Sequence, residues 1–304
     1  MTLPPSMQVI CRGWLNANHV LFLHAGDNVL IDTGYCTHAD ETLRLLRQPS
    51  ALGDAPLHRI LNTHCHSDHM GGNARLQQVY GCRVLVPAAE AQHIQHWDGR
   101  ALWLDVAGQR AESFEVDGLI APGDELWLGG TRWQALAAPG HRMEALVFYC
   151  PAYRVLISGD ALWANGLGVI NIQQADALDA ALATLDMIDA LPIDWVIPGH
   201  GWPFNDAKAA IVRARQRLEA TRRDPVKAAW AMLKALFIFN LLEHGSLSRD
   251  AAGQLLGRVD FYRELNQYYL QLSNDELAEK LLADLVRSGA IYFQQDHIFT
   301  NVMA

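Results

Sequence analysis

Between Val9 and about Pro203 the apolar positions fall in short runs closed by glycine, asparagine or proline: HVLFLHAG, NVLIDTG, HRILNTH, CRVLVP, TRWQALAAPG, ALVFYC, RVLISGD and DWVIPGH. Runs of this length, rich in branched and aromatic residues and bounded by turn formers, predict β-strands. Between them HADETLRLLRQ, GGNARLQQVY and DALDAALATLDMIDAL place their apolar positions at helical spacing. Strands therefore alternate with helices, the pattern of an α/β domain. The stretch from Glu90 to Gly129 mixes tryptophans, histidines and carboxylates without that rhythm, and reads as an insertion covering a site.

Past Phe204 the period changes. DAKAAIVRARQRLEATRRD, a break at Pro225, VKAAWAMLKALFIFNLLEHG and SNDELAEKLLADLVRSG predict helices, the last capped by Ser273 or Asn274. AIYFQQDHIFTNV closes the chain as a two-stranded ribbon. The expected organisation is one α/β domain over residues 1–205 and a helical, winged-helix-like domain over residues 206–304.

Half of the 304 residues are hydrophobic and 19% are charged, which leaves ample core and excludes a disordered chain. The first residues lack a basic run followed by an apolar segment, and no uninterrupted apolar stretch reaches the roughly 20 residues of a membrane span. The expectation is a soluble, cytoplasmic protein with no membrane partner. Five scattered cysteines without CxxC spacing give no disulfide framework. The net charge of −9 is uneven: residues 206–304 hold 13 Lys and Arg against 12 Asp and Glu, leaving 11 against 21 before them. So acidic a first domain is a poor host for nucleic acid, whose binding rests on neutralising phosphates. The run AWAMLKALFIFNLL is more apolar than a recognition surface requires, and suits core packing or a homodimer contact.

The chemistry is concentrated in THCHSDHMGGN, which sets His64, His66, Asp68 and His69 within six positions. His64 and His66, two apart at the end of an apparent strand, share one face while Cys65 points away as a packing residue. Asp68 and His69 occupy the following turn, and Gly71 and Gly72 allow close backbone approach and positive φ. Three more donors follow apolar strands: His141 in APGH, Asp160 in LISGD and His200 in VIPGH. With these seven in place, His93 and His96 read as surface residues.

HxHxDH, a later GH, a GD and a final PGH, in this order over about residues 15–203, resemble the ligand set of the metallo-β-lactamase superfamily. The resemblance implies a four-layer αβ/βα sandwich with metals at one edge of its two sheets. It assigns His64, His66 and His141 to one ion, Asp68, His69 and His200 to a second, and Asp160 as the bridge. Asp32, in LIDTG, matches a carboxylate that supports a ligand histidine. Two divalent ions are expected. Zinc suits imidazole donors with few carboxylates, and iron or manganese accept the same set.

Such a centre implies metal-assisted hydrolysis, with a hydroxide shared by the two ions as nucleophile and Asp68, His69 and Asp160 at the reacting atoms. Two divalent ions, two carboxylates and one hydroxide leave the centre about +1, which favours a small anionic or neutral thioester, ester or lactone. In pattern the chain is similar to the glyoxalase II-like hydrolases. It departs from glyoxalase II itself in the context of the last ligand, IPGHGWP, and departs from flavodiiron oxygen reductases at His66. Single-iron persulfide dioxygenases share most of the donors. PGHG with a helical tail also resembles lactamase-like endoribonucleases, so a metal-dependent phosphodiesterase is the alternative, and a binding or regulatory protein using its tail is a further one. Trp163, Asn165 and Trp202, next to donors in sequence, are the expected wall of the substrate groove.

Overall fold

The computed structural model describes residues 3–303. The first sheet holds β1 (Met7–Ile10), β2 (His19–Phe22), β3 (Val29–Ile31), β4 (Arg59–Leu61), β5 (Arg83–Pro87) and β6 (Gly118–Ile120), neighbours in chain order. β1 to β3 pair antiparallel and β3 to β6 pair parallel. Its outer face and connections carry α1 (Ala39–Leu46), α2 (Ser67–Met70), α3 (Asn73–Tyr80), α4 (Ala91–Gln95) and α5 (Leu104–Ala107). The second sheet comprises β7 (Glu125–Leu128), β8 (Thr131–Ala137), β9 (Leu146–Cys150), β10 (Val155–Gly159) and β11 (Trp195–Pro198). Its spatial order is β11-β10-β9-β8-β7, with only β10 and β11 parallel. α6 (Ala177–Asp189) and α7 (Ala207–Arg223) cover it.

Because successive residues of a strand face opposite ways, each sheet feeds two cores. Phe22, Ile31 and Leu61 meet Trp133, Phe148 and Ile157 between the sheets, Phe22 lying edge-on to Trp133 at 5.3 Å. Leu30, Ile60 and Val84 face outward under Leu43, Leu46 and Leu76. Leu156 and Val196 of the second sheet lie under Leu185, Ile188 and Ile211. Strands buried on both faces explain the unbroken apolar runs of the sequence, and the result is the αβ/βα sandwich.

All eight runs are strands. β6 and β7 lie inside Glu90–Gly129, so the departure from the α/β rhythm is confined to the part before residue 118. Both are edge strands with side chains in solvent, Leu119 being 53% and Trp127 61% exposed, which removes the buried alternation that marks a central strand.

α8 (Pro225–His244), α9 (Arg249–Arg258), α10 (Asp260–Leu265) and α11 (Asn274–Arg287) join a small antiparallel sheet. In it β12 (Leu247–Ser248) adds a third strand to the ribbon of β13 (Ile291–Gln294) and β14 (His297–Thr300). Ser273 caps α11 with a reciprocal capping box to Glu276. Leu233, Phe237 and Leu241 pack with Tyr262, Leu281 and Ile298 in this unit's own core. By length and composition alone α8 is apolar enough to cross a bilayer, yet those three side chains are wholly buried in protein. α7 sits elsewhere: Ala210, Ile211 and Ala214 share the core of α6. The change of period at residue 206 therefore precedes the change of core, which falls where Asp224 caps α8 and Pro225 occupies its first turn.

Candidate metal centre

Five of the seven donors follow the C-terminal end of a strand: His64 and His66 after β4, His141 after β8, Asp160 after β10 and His200 after β11. Strand order fixes where these ends lie, so the donors converge although 136 positions separate the first from the last. Asp68 and His69 ride on the single turn of α2, whose backbone is tied to the loop after β3 by Thr33 N–H donating to the His69 carbonyl at 2.8 Å. Gly71 and Gly72 have negative φ, so positive φ is not their reason. A Cβ at Gly71 would lie 2.4 Å from the Ser67 carbonyl oxygen and 2.5 Å from the Cys36 nitrogen. Close backbone packing is what excludes a side chain there. Gly199 does the same beside the last donor, since a Cβ would sit 2.3 Å from Asp160 Oδ1. Cys65 points away into the core outside the first sheet.

Two groups of donors result. His64 Nε2 lies 3.1 Å from His66 Nδ1, which lies 2.9 Å from His141 Nε2. His200 Nε2 lies 3.0 Å from Asp68 Oδ2, and His69 Nε2 lies 3.7 Å from the same oxygen. Asp160 stands between them, Oδ2 3.3 Å from His141 Nε2 and Oδ1 3.4 Å from His69 Nε2. Within each of three overlapping triads, one ligand atom per residue lies within 4.8 Å of the others: His64, His66 and His141; His64, His69 and Asp160; Asp68, His69 and His200.

Hydrogen bonds on the far side of the rings set which nitrogen faces inward. His69 Nδ1 donates to Asp32 Oδ2 at 2.8 Å and His141 Nδ1 donates to the Val169 carbonyl at 2.6 Å. Thr63 Oγ1 donates to Asp32 Oδ2 at 2.8 Å and accepts from His64 Nδ1 at 3.2 Å. The Nε2 lone pairs of His64, His69 and His141 therefore point at the centre. His69 Nε2 is buried with no hydrogen-bond partner among the described residues, facing two carboxylates. Acceptors that face acceptors at these separations need a cation between them, and imidazole with carboxylate is the donor chemistry of zinc and its neighbours. The residues fit divalent metal.

The electrostatics agree. Burial, reinforced by neighbouring imidazoles, pushes His64 and His66 well below the ordinary histidine range, keeping the neutral form that coordinates metal. Burial would also lower His69, but Asp32, Asp68 and Asp160 outweigh it and raise it well above, so without an ion the carboxylates favour a proton where a cation would otherwise sit. Burial alone would raise the Asp160 carboxyl, yet His69, His200 and His141 hold it far below the carboxylate range. Behind the site, Arg142 makes a bidentate pair with the fully buried Glu90 at 2.9 and 2.8 Å, fixing the chain next to His141.

A family model described as the metallo-β-lactamase superfamily matches residues 12–200, most of the chain. The chain belongs to this superfamily. Among curated relatives, a hydroxyacylglutathione hydrolase of Pseudomonas putida strain F1 is 37% identical over 128 residues, covering 41% of each chain. One of Rhodobacter capsulatus is 32% identical over 157 residues, covering 51% of this chain and 52% of that one. The chain thus spans about half or less of the curated relatives it matches. Among solved structures, a metallo-β-lactamase family protein of Thermus thermophilus shares the fold over 99% of this chain and 100% of its own, with a TM-score of 0.62 and 21% identity. The subclass B3 metallo-β-lactamase BJP-1 of Bradyrhizobium japonicum covers 76% of this chain and 95% of its own, with a TM-score of 0.56 and 19% identity.

On this superfamily scaffold five of the donors, His66, Asp68, His141, Asp160 and His200, floor a chamber of about 130 Å³. Of the three residues expected at the groove wall, Trp163 lines the chamber and donates from Nε1 to Asp160 Oδ1 at 3.2 Å. Asn165 and Trp202 do not: Asn165 is exposed on the tight turn between Trp163 and Gly166, and Trp202 is 79% exposed. Adjacency to a donor in sequence does not carry a side chain around a turn. Sequence reasoning missed the rest of the wall, which comprises Trp14, Trp103, and Met232, Leu236 and Phe239 of α8 with Phe261 of α10. The available signal was α8 itself, apolar around its whole circumference, which means that more than one of its faces is covered.

Proposed function

We propose that the protein is a metal-dependent hydrolase of small thioesters, esters or lactones working with two divalent ions, zinc being the best match to the donors. His64, His66 and His141 would hold one ion, Asp68, His69 and His200 the other, with Asp160 shared. The observation that carries this reading is the pair of adjoining donor groups joined at Asp160, with buried imidazole lone pairs turned inward. Bound there, the ions would acidify water and polarise a carbonyl oxygen.

The chain's own residues supply the rest. Asp68 lines the chamber, and its carboxylate is placed to accept a proton from water and hold that water's orientation. Asp32 and Thr63 lock His69 and His64 in the tautomers that leave Nε2 free. Trp163 fixes Asp160 by its indole N–H. The aromatic wall keeps bulk water away from the reacting atoms. The similarity to hydroxyacylglutathione hydrolases over 128 to 157 residues supports thioester chemistry. An RNA backbone suits the site poorly, since α8 closes over the donors and no lysine or arginine lines the chamber.

Elemental analysis of protein purified without chelator, together with a screen of thioesters, lactones, β-lactams and phosphodiesters, tests the reading. About two ions per chain and acyl hydrolysis abolished by chelation are expected. Metal-dependent RNA cleavage with steeply salt-dependent binding would favour the phosphodiesterase instead, and an inert, metal-free protein would favour a binding role.

A further inference from the structure

The chamber differs from its floor in one respect that bears on substrate. Beside the donors its wall is Trp14, Trp103, Met232, Leu236, Phe239 and Phe261. Apart from the metal donors, the polar groups lining the chamber are the side chains of Gln109 and Asn171 and the indole N–H groups of Trp14, Trp103 and Trp163. Gln109 is already engaged through Oε1, which accepts from Ser67 Oγ at 2.6 Å. No cationic side chain is there to receive a charged substituent, and taking a charge out of water without a partner is strongly unfavourable. The volume, about 130 Å³, is close to that of an apolar protein cavity of about 150 Å³ that holds a benzene molecule.

The wall is also anchored. Asn240, fully buried on α8, donates to the Gly108 carbonyl at 3.1 Å and accepts from the Tyr262 hydroxyl at 2.6 Å. One side chain thus ties α8 to α10 and to the segment bearing Trp103 and Ala107. Gly108 packs so tightly that a Cβ there would lie 2.7 Å from Val259 Cγ2. The apolar face is a built wall, held in place by a satisfied buried polar group.

We propose that this chamber selects substrates whose acyl part is uncharged and apolar, with the bulk of about one aromatic ring; the assignment rests on the hydrolase reading above. The acyl group lies against Phe239, Leu236 and Trp103 with its carbonyl at the donors. The bond from the acyl carbon to sulfur or oxygen breaks, water oxygen joins that carbon, and a proton from the water leaves with the departing thiol or alcohol. A hydroxylated or charged acyl group is discriminated against, because it gives up water for a lining that is mostly apolar and carries no cationic side chain.

The test uses the full chain loaded with zinc and a set of N-acetylcysteamine thioesters with one leaving thiol and acetyl, lactoyl, succinyl and phenylacetyl groups. Phenylacetyl is expected to exceed lactoyl and succinyl by about tenfold or more in kcat/KM. Ala235→Leu, which adds bulk on α8 inside the chamber, should lower the ratio of phenylacetyl to acetyl kcat/KM by about tenfold or more while metal content persists. Lactoyl or succinyl turning over as well as phenylacetyl would overturn the proposal and leave the hydrolase reading intact. If no thioester is cleaved, the hydrolase reading fails, and binding decides the chamber separately. Tryptophan fluorescence should then show phenylacetamide binding at least about tenfold more tightly than lactamide, weakened by Ala235→Leu. Equal or undetectable binding of both amides would overturn the chamber proposal as well.

Discussion

The floor and the wall of the chamber are made of opposite materials. The floor is made of polar donors, His66, Asp68, His141, Asp160 and His200, with His64 and His69 behind them, the rings of His64, His69 and His141 being held by hydrogen bonds of 2.6 to 3.2 Å to Thr63, Asp32 and the Val169 carbonyl. The wall is an apolar surface drawn from the segment before β2, the α4 to α5 region and two helices of the last unit. Hydrogen bonds and coordination are directional, so a displaced floor donor loses its function. Apolar contact is not, so an altered wall changes what fits more than whether the site exists. The contrast separates chemistry from selectivity within one cavity, and substitutions can break it on either side.

The largest expected effect is at Asp160. Its oxygens reach toward both donor groups, so Asp160→Ala should reduce metal affinity and turnover by more than the roughly 100-fold upper range of a supporting residue. Circular dichroism should stay that of a folded chain, because the lost side chain makes no apolar packing. Metal titration and elemental content measure this. Unchanged occupancy would remove Asp160 from the floor and leave the two donor groups unconnected.

Asp32→Asn comes next. The carboxylate accepts from His69 Nδ1, Thr63 Oγ1 and the Thr63 backbone N–H, whereas an amide presents one acceptor and one donor. His69 would lose its fixed tautomer, at about 10–100-fold in metal affinity. Asp32 has a φ of 56°, a conformation that asparagine tolerates, so backbone strain should not confuse the result. Competition with a chromogenic chelator gives the affinity directly. An affinity equal to that of the parent would show that Thr63 alone suffices to orient the rings.

What can be read in the sequence follows the same division. HxHxDH is legible because one strand and one turn place all four donors, and the strand-end context of His141, Asp160 and His200 repeats the device. Asp32 is visible only through the family pattern, since its partners His69 and Thr63 lie more than 30 positions away. The wall is not legible at all: Trp14 and Phe261 are separated by most of the chain, and nothing local to either says that they line one cavity. Trp202 and Asn165 show the converse error, proximity in sequence being mistaken for proximity in space. α7 shows a third kind, in which helical period tells what an element is and leaves open which core it joins. The glycines at 71 and 72 are special, as their sequence context says, but the reason is packing where conformation is expected.

A smaller effect tests the wall's anchor. Tyr262→Phe removes the hydroxyl that donates to Asn240 Oδ1 at 2.6 Å and leaves a buried acceptor unsatisfied. The cost should be about 1–3 kcal/mol in stability, read from denaturant unfolding, with metal affinity of the folded protein unchanged. If metal affinity fell in step with stability, floor and wall would be one cooperative structure, and the division drawn above would fail.

The smallest effect is expected at Trp202, two residues from a donor and part of neither region. A large aromatic beside His200 invites a role in substrate binding, but its side chain is 79% exposed and lies off the chamber wall. It stands after Gly201, whose φ of 86° turns the chain away from the site. The position of His200 is held by other means: Asn18 donates to the carbonyls of Pro198 and Gly201 at 2.9 and 2.6 Å, and the Asn18 N–H donates to the Gly199 carbonyl. Trp14 and Trp163, both on the wall, flank the His200 ring at centroid distances of 5.3 Å each. With the loop fixed from behind and the ring enclosed by other tryptophans, Trp202→Ser should change stability by no more than about 0.5 kcal/mol. Metal content and the acyl preference should both be retained. Steady-state kinetics on the thioester set, run beside Trp103→Ser, give the contrast: a preference lost at Trp103 and kept at Trp202 places selectivity in the wall, whereas a loss at Trp202 would mean that substrate reaches well beyond the chamber.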